Sequence, residues 1–205
     1  MLLISILSQG FVNGILGFLF IFPILIFSLA FHEFGHAYTA LLYGDDTAKR
    51  QGRVTLNPLK HLDLKGTLLM ILIGFGYAKP VPIQVSKFAK LKEGYFAVSI
   101  AGIVCNFILF FLTGIAGMFV PEKFHFIPKT IMIINANLAF FNLLPIYPMD
   151  GGRILECFWK NGRDVSVWLN KNNLFAIGLA IFSAFYILPI LTQNITDPII
   201  SMFLR

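Results

Sequence analysis

The sequence predicts an all-α polytopic membrane protein with about four to six transmembrane segments, a broken helix, and short extended or re-entrant segments near the cytoplasmic side. Three observations predict it. Of the 205 residues, 57% are hydrophobic and only 13% are charged, against about 25% charged in a typical soluble domain. The mean hydropathy is +0.78. Several apolar runs reach the roughly 20 residues that cross a bilayer, which an apolar soluble core does not need. One integral membrane domain over 1–205 is expected, with an N-terminal apolar segment (1–23), a core (24–155), and a loop with a C-terminal span (156–205).

Residues 2–43 contain no Lys or Arg, and Glu33 is their only acid. As one helix they would run about 63 Å at 1.5 Å per residue, roughly twice the hydrocarbon core. The segment is therefore expected to break, tilt or lie partly along the interface. Gly10, Asn13, Gly14, Gly17 and Pro23 are the candidate breaks. The favoured arrangement is a span over about 24–43, preceded by a second span or a partly inserted segment.

Residues 44–66 read as a polar, basic loop in which G-R-V-T-L-N-P has short strand character, closed by Asn57 and Pro58. Residues 67–77 are apolar but too few to cross, which suits a re-entrant piece. The stretch 78–93 carries Pro80 and Pro82, which favour an extended chain with at most edge pairing. A span follows at 94–119, a short loop at 120–129, and a span at 130–147 interrupted by prolines. Residues 153–173 are polar and basic, and a last span at 174–191 ends near Pro189.

The net charge is +6, but the basic residues sit in short loops beside apolar spans. There they report orientation, and nucleic acid is excluded as a partner. Loops 44–66, 78–93 and 153–173 carry five, four and four Lys or Arg, against two in 120–129. The first three are predicted cytoplasmic and 120–129 external. Cys105 in an apolar span and Cys157 in a basic loop read as free thiols. The N-terminus has no basic flank, so no cleaved leader is expected.

The chemistry is concentrated in H-E-F-G-H at 32–36. His32 and His36 are four apart and share a helical face, so two imidazoles can bind one Zn²⁺ beside Glu33, a carboxylate able to take a proton from water. Counted from Gly44, His36 lies about 12 Å and His32 about 18 Å into the bilayer. The alternative is a pair of histidines hydrogen-bonded to neighbouring helices. Ionisable groups inside a membrane are rare and usually functional, which favours the metal. Hydrolytic zinc takes three protein ligands. Asp150 in F-N-L-L-P-I-Y-P-M-D-G-G-R-I-L is the candidate third. Pro145 and Pro148 break the helix there. A helix cap or a partner of Arg153 is the alternative role for Asp150.

H-E-F-G-H at 32–36 together with N-L-L-P-I-Y-P-M-D-G-G-R at 142–153 resembles the site-2 protease family of intramembrane zinc metalloproteases, in its compact bacterial form without accessory domains. G-R-V-T-L-N-P-L-K-H-L-D and G-Y-A-K-P-V-P-I resemble its connecting segments. The resemblance runs from about 24 to 155 and makes that stretch the catalytic core. It implies zinc ligands His32, His36 and Asp150, with Glu33 as general base. It implies a substrate-holding role for Asn142, for which a helix–helix hydrogen bond is the alternative. A-G-I-V-C-N at 101–106 resembles a family segment in which Ile103 stands in place of proline. Asn106 is there either a substrate-facing residue or interhelical glue. His61 is expected to be a solvated loop histidine and His125 to lie outside, both without a metal role.

The implied activity is that of a zinc metalloendopeptidase of the cell membrane, hydrolysing peptide bonds within or near transmembrane segments in regulated intramembrane proteolysis. Its partners are the lipid bilayer and membrane proteins with a transmembrane helix. No oligomeric state follows from these features. The rival readings are a membrane metal transporter and a non-catalytic, zinc-containing protein that binds helices.

Overall fold

The computed structural model describes residues 10–73, 78–159, 167–169 and 171–204. The first nine residues of the N-terminal apolar segment, the end of the 67–77 run, and residues 160–166 and 170 of the 153–173 loop, with Lys160 and Arg163, lie outside the described residues. Among the described residues the protein is helical with no strand, a polytopic membrane architecture. Four helices are long and apolar enough to span a membrane.

The first, α1 (Phe11–Leu42), is a single helix of 32 residues that passes through Pro23. No break occurs at Asn13, Gly14, Gly17 or Pro23, while Gly10, at φ 81°, stands just outside the helix. A proline forfeits one backbone bond at about 3 kcal/mol. Unwinding in lipid would strip several backbone groups of partners at several kcal/mol each, so the helix continues. At about 48 Å it exceeds the ~30 Å hydrocarbon core and must tilt or protrude.

A single-turn helix, α2 (Thr47–Arg50), follows. The short α3 (Leu64–Ile73) covers about 15 Å, roughly half the thickness of a bilayer core. The 52–58 stretch forms no ladder. Its neighbourhood holds one isolated antiparallel bridge, Leu62 with Ala78, and 78–84 runs extended beyond it. Pro80 and Pro82 lack the N–H that a longer ladder needs.

The second span, α4 (Leu91–Gly117), is unbroken through Ile103, as a residue with a free N–H allows. The third, α5 (Phe126–Leu143), starts inside the stretch expected to be loop. Pro128 falls in its first turn, where N–H groups lack helical partners anyway. It stops because Leu144 precedes Pro145 and is driven to ψ 132°, out of the helical region. After the break, α6 (Asp150–Phe158) occupies the start of the expected basic loop.

The last span, α7 (Phe175–Phe203), does not end at Pro189. Wide π-helical turns at Ser183–Ile187 and Thr192–Thr196 precede Pro189 and Pro198. Such turns let a membrane helix carry a residue without an N–H.

The helix α4 is central, packed against α1, α5 and α6. Phe110, Met132, Ala136 and Ile200 bury the contact of α4, α5 and α7. Ala37, Ala48 and Val81 join α1, α2 and the 78–84 segment.

Candidate metal centre

The i, i+4 spacing sets His32 and His36 on the α1 face that meets α4, and both are buried. A side chain on α4 at position 102 would fill this space. A Cβ built on Gly102 would stand 2.5 Å from His32 Nε2 and 2.5 Å from His36 Nε2. Glycine there is what lets α4 lie against the imidazoles.

Asp150 reaches the same place from far along the chain. It opens the first turn of α6, a position that favours an acid. A Cβ on Gly151 would clash with the carbonyl oxygens of Leu143 and Leu144. The absence of that Cβ allows α6 to fold tightly back on the end of α5. The break therefore does more than end a helix, because it turns the carboxylate toward α1.

The three side chains converge. His32 Nε2 lies 3.1 Å from His36 Nε2 and 3.2 Å from Asp150 Oδ2, and His36 Nε2 lies 3.1 Å from the same oxygen. Ligands of a tetrahedral zinc at about 2.0–2.1 Å stand about 3.3–3.4 Å apart, close to this triangle. Asp150 Oδ1 faces Arg153 Nη1 at 3.7 Å, so the arginine partnership read from the sequence is also present, on the other oxygen.

Protonation decides whether this is a cation site or a set of hydrogen bonds. His36 Nδ1 is 2.6 Å from Val98 O. A carbonyl only accepts, so Nδ1 carries a proton, and in the neutral ring Nε2 presents a lone pair. The same argument reaches His32 through a chain of amides. Asn135 Nδ2 donates to Ile131 O at 2.9 Å and to Ser28 Oγ at 3.0 Å, which orients that amide. Asn106 Nδ2 then donates to Asn135 Oδ1 at 3.0 Å and leaves Asn106 Oδ1 to accept from His32 Nδ1 at 2.7 Å. Asp150 Oδ2 is buried and takes no hydrogen bond. With both rings neutral, the two Nε2 lone pairs and the Asp150 oxygen converge on one point, an arrangement a cation satisfies. Histidine ligands tied through the other ring nitrogen are typical of zinc sites, and the donor set fits Zn²⁺.

Glu33, next to His32, is half-buried and accepts from Val81 N–H at 3.1 Å. Asn142 stands at the end of α5 with its amide nitrogen on Leu138 O at 2.9 Å. Its oxygen takes no hydrogen bond among the described residues. Asn106 is fully buried with both amide atoms engaged between helices, where it holds His32. His61 is not solvated: it is 1% exposed, with Nε2 2.9 Å from Thr55 O. Burial holds its imidazole below the ordinary value, with Arg53 adding to that and the Thr55 carbonyl and Glu33 opposing it. His125 bonds to Val120 O at 2.9 Å in the short loop before α5. Both cysteines are free. Sequence reasoning missed Asn135, Ser28 and the Val98 carbonyl. An asparagine amid the apolar I-I-N-A-N-L was the signal available for the first, and the other two offer none.

The family model for peptidase family M50 matches residues 122–185, which include Asn142 and Asp150. YwhC of Bacillus subtilis, which carries a zinc metalloprotease name, is 36% identical over 198 residues, covering 87% of this chain and 88% of its own. Zinc metalloprotease MJ0392 of Methanocaldococcus jannaschii is 27% identical over 205 residues, 98% of this chain and 52% of its own. Rip2 of Mycolicibacterium smegmatis, also with a zinc metalloprotease name, is 33% identical over 142 residues, 64% of this chain and 54% of its own. The chain thus spans about half the length of the last two and most of the first. No solved structure matches significantly.

Proposed function

The chain belongs to peptidase family M50, the site-2 protease family, and from that premise we propose that it is an intramembrane zinc metalloendopeptidase of the cell membrane. It cuts peptide bonds within or beside the transmembrane helix of membrane-protein substrates, as in regulated intramembrane proteolysis. The observation that carries this reading is the buried convergence of three potential ligand atoms one residue from a carboxylate.

His32, His36 and Asp150 would hold the zinc. When bound, it makes water nucleophilic near neutral pH and polarises a carbonyl. Glu33 takes the proton of the attacking water and returns it to the leaving amine nitrogen. Asn106 and the Val98 carbonyl keep both imidazoles in the metal-binding tautomer. Asn142, with its oxygen unengaged, is suited to hold a substrate amide N–H near the ligands. Water enters from the cytoplasmic side, where the α5–α6 break interrupts the apolar wall. A substrate helix hides its amides in its own hydrogen bonds and must unwind first. Gly or Pro in its span lowers that cost by about 1–3 kcal/mol per residue.

The test is Glu33→Gln in purified protein given tagged single-span membrane proteins. Cleavage is lost while zinc stays at one per chain. Unchanged cleavage in that variant ends this reading.

A further inference from the structure

The extended segment 78–84 runs beside the cytoplasmic half of α1, and its backbone is held by specific partners. Lys79 N–H donates to His61 O at 2.8 Å. Lys79 O accepts from Arg53 Nη2 at 2.6 Å. Gln84 N–H donates to Asp45 Oδ2 at 2.6 Å. Between these anchors, Pro80 and Pro82 have no N–H to give. The donor left between the two prolines is that of Val81, and it lands on Glu33 Oε2 at 3.1 Å.

Arg53 is the unexpected member. It is 4% exposed and makes no ion pair within 4 Å among the described residues. Its Nε has no hydrogen-bond partner. Burying a guanidinium costs several kcal/mol unless its charge is answered, and surface arginines avoid that cost. What it reaches is the Lys79 carbonyl, two residues from the N–H that holds Glu33. Burial pulls its pKa below the ordinary value and the Glu33 carboxylate pulls it back, so the two charges feel each other.

We propose that 78–84 is a positioning strap for Glu33, with Arg53 as its buried anchor. Arg53 fixes Lys79 O, Asp45 fixes Gln84 N–H, and the stretched chain between them presents Val81 N–H to one carboxylate oxygen. Glu33 has three rotatable bonds, and this contact selects one placement of its head while leaving Oε1 for water. The inference rests on the proposed role of Glu33 as general base. Arg53 and Val81 touch neither metal nor substrate and act through the glutamate.

Val81→Pro removes the N–H from a residue already extended between prolines. Val81→Ala trims the side chain and keeps the N–H. With cleavage of a single-span substrate and zinc content as readouts, Val81→Pro lowers kcat about 10–100-fold, the scale of a misplaced catalytic group, with KM little changed and one zinc per chain. Val81→Ala stays within about three-fold of wild type, as a change that leaves the interaction intact should. A second pair guards against misfolding of the proline variant. Arg53→Met lowers kcat in the same way, and Arg53→Lys, which can still donate to Lys79 O, restores most of it. Equal losses in Val81→Pro and Val81→Ala, no rescue by lysine, or loss of zinc in parallel with activity would each overturn the strap. If Glu33→Gln cleaves normally, the base assignment fails. If Glu33→Gln is dead while Val81→Pro turns over like Val81→Ala, the strap alone fails.

Discussion

His32 Nδ1 donates to Asn106 Oδ1 at 2.7 Å, an interhelical bond joining a metal-ligand candidate on α1 to a fully buried amide on α4. Asn106 is oriented by Asn135, which is oriented by the carbonyl of Ile131. A helical backbone group on α5 thus sets the tautomer of a histidine on α1.

Asn106→Ala should weaken zinc binding about 10–100-fold, the usual cost of removing a partner behind a histidine ligand. Asn106→Asp keeps an acceptor on Nδ1 but loses the donor to Asn135 Oδ1, so it should recover only part of the affinity. Competition with a calibrated chelator on purified protein measures both. Equal affinities for Asn106→Ala and wild type would mean that the bond does not govern the site.

Gly102→Ala should displace the imidazoles, since its Cβ would stand 2.5 Å from both Nε2 atoms. Overpacking of this kind costs about 1–3 kcal/mol, and here it falls on the ligands. Zinc stoichiometry should drop while helical content by circular dichroism is kept. Gly178→Ala is the control: nothing lies within 4 Å of a Cβ there, so it should keep its zinc and gain up to about 1 kcal/mol of helix propensity.

Asp45 predicts a pH dependence. It is fully buried just past α1, accepting from Thr47 Oγ1, Thr47 N–H and Gln84 N–H, with Lys87 Nζ at 3.8 Å. Burial pushes its carboxyl up, but these hydrogen bonds and the lysine outweigh that and hold it below the usual carboxylate range. A folded pKa below the unfolded value of about 3.9 contributes stability that is complete above that value and is lost as pH falls through the folded pKa. Asp45→Asn should therefore be less stable than wild type at pH 7, by on the order of 1–3 kcal/mol. The gap should narrow below about pH 4. Thermal unfolding in detergent across pH 3–7 reads it, and a gap independent of pH would contradict the assignment.

Much of the site was legible in the chain because its spacing is local. A histidine four residues from another on a helix must share its face, whatever the rest of the protein does. A carboxylate just past two prolines in an apolar run marks broken backbone, and the break is where the structure has it, between Leu143 and Asp150. The positions of helix ends were less legible. Pro23 and Pro189 read as stops, yet both are helical, because lipid penalises unpaired backbone more than one missing hydrogen bond.

By itself the sequence determined a multi-span helical membrane protein, the His32–Glu33–His36 face and the candidacy of Asp150. These follow from composition and from contacts a few residues long. Only the tertiary structure decided that Asn106 serves His32, that His61 and Arg53 are buried, and that Val81 N–H meets Glu33. Those contacts join segments distant in the chain, and their geometry depends on how closely α4 and the 78–84 segment approach α1. No local pattern encodes that approach, because it is set by the packing of small residues such as Gly102 and Ala37 against side chains elsewhere.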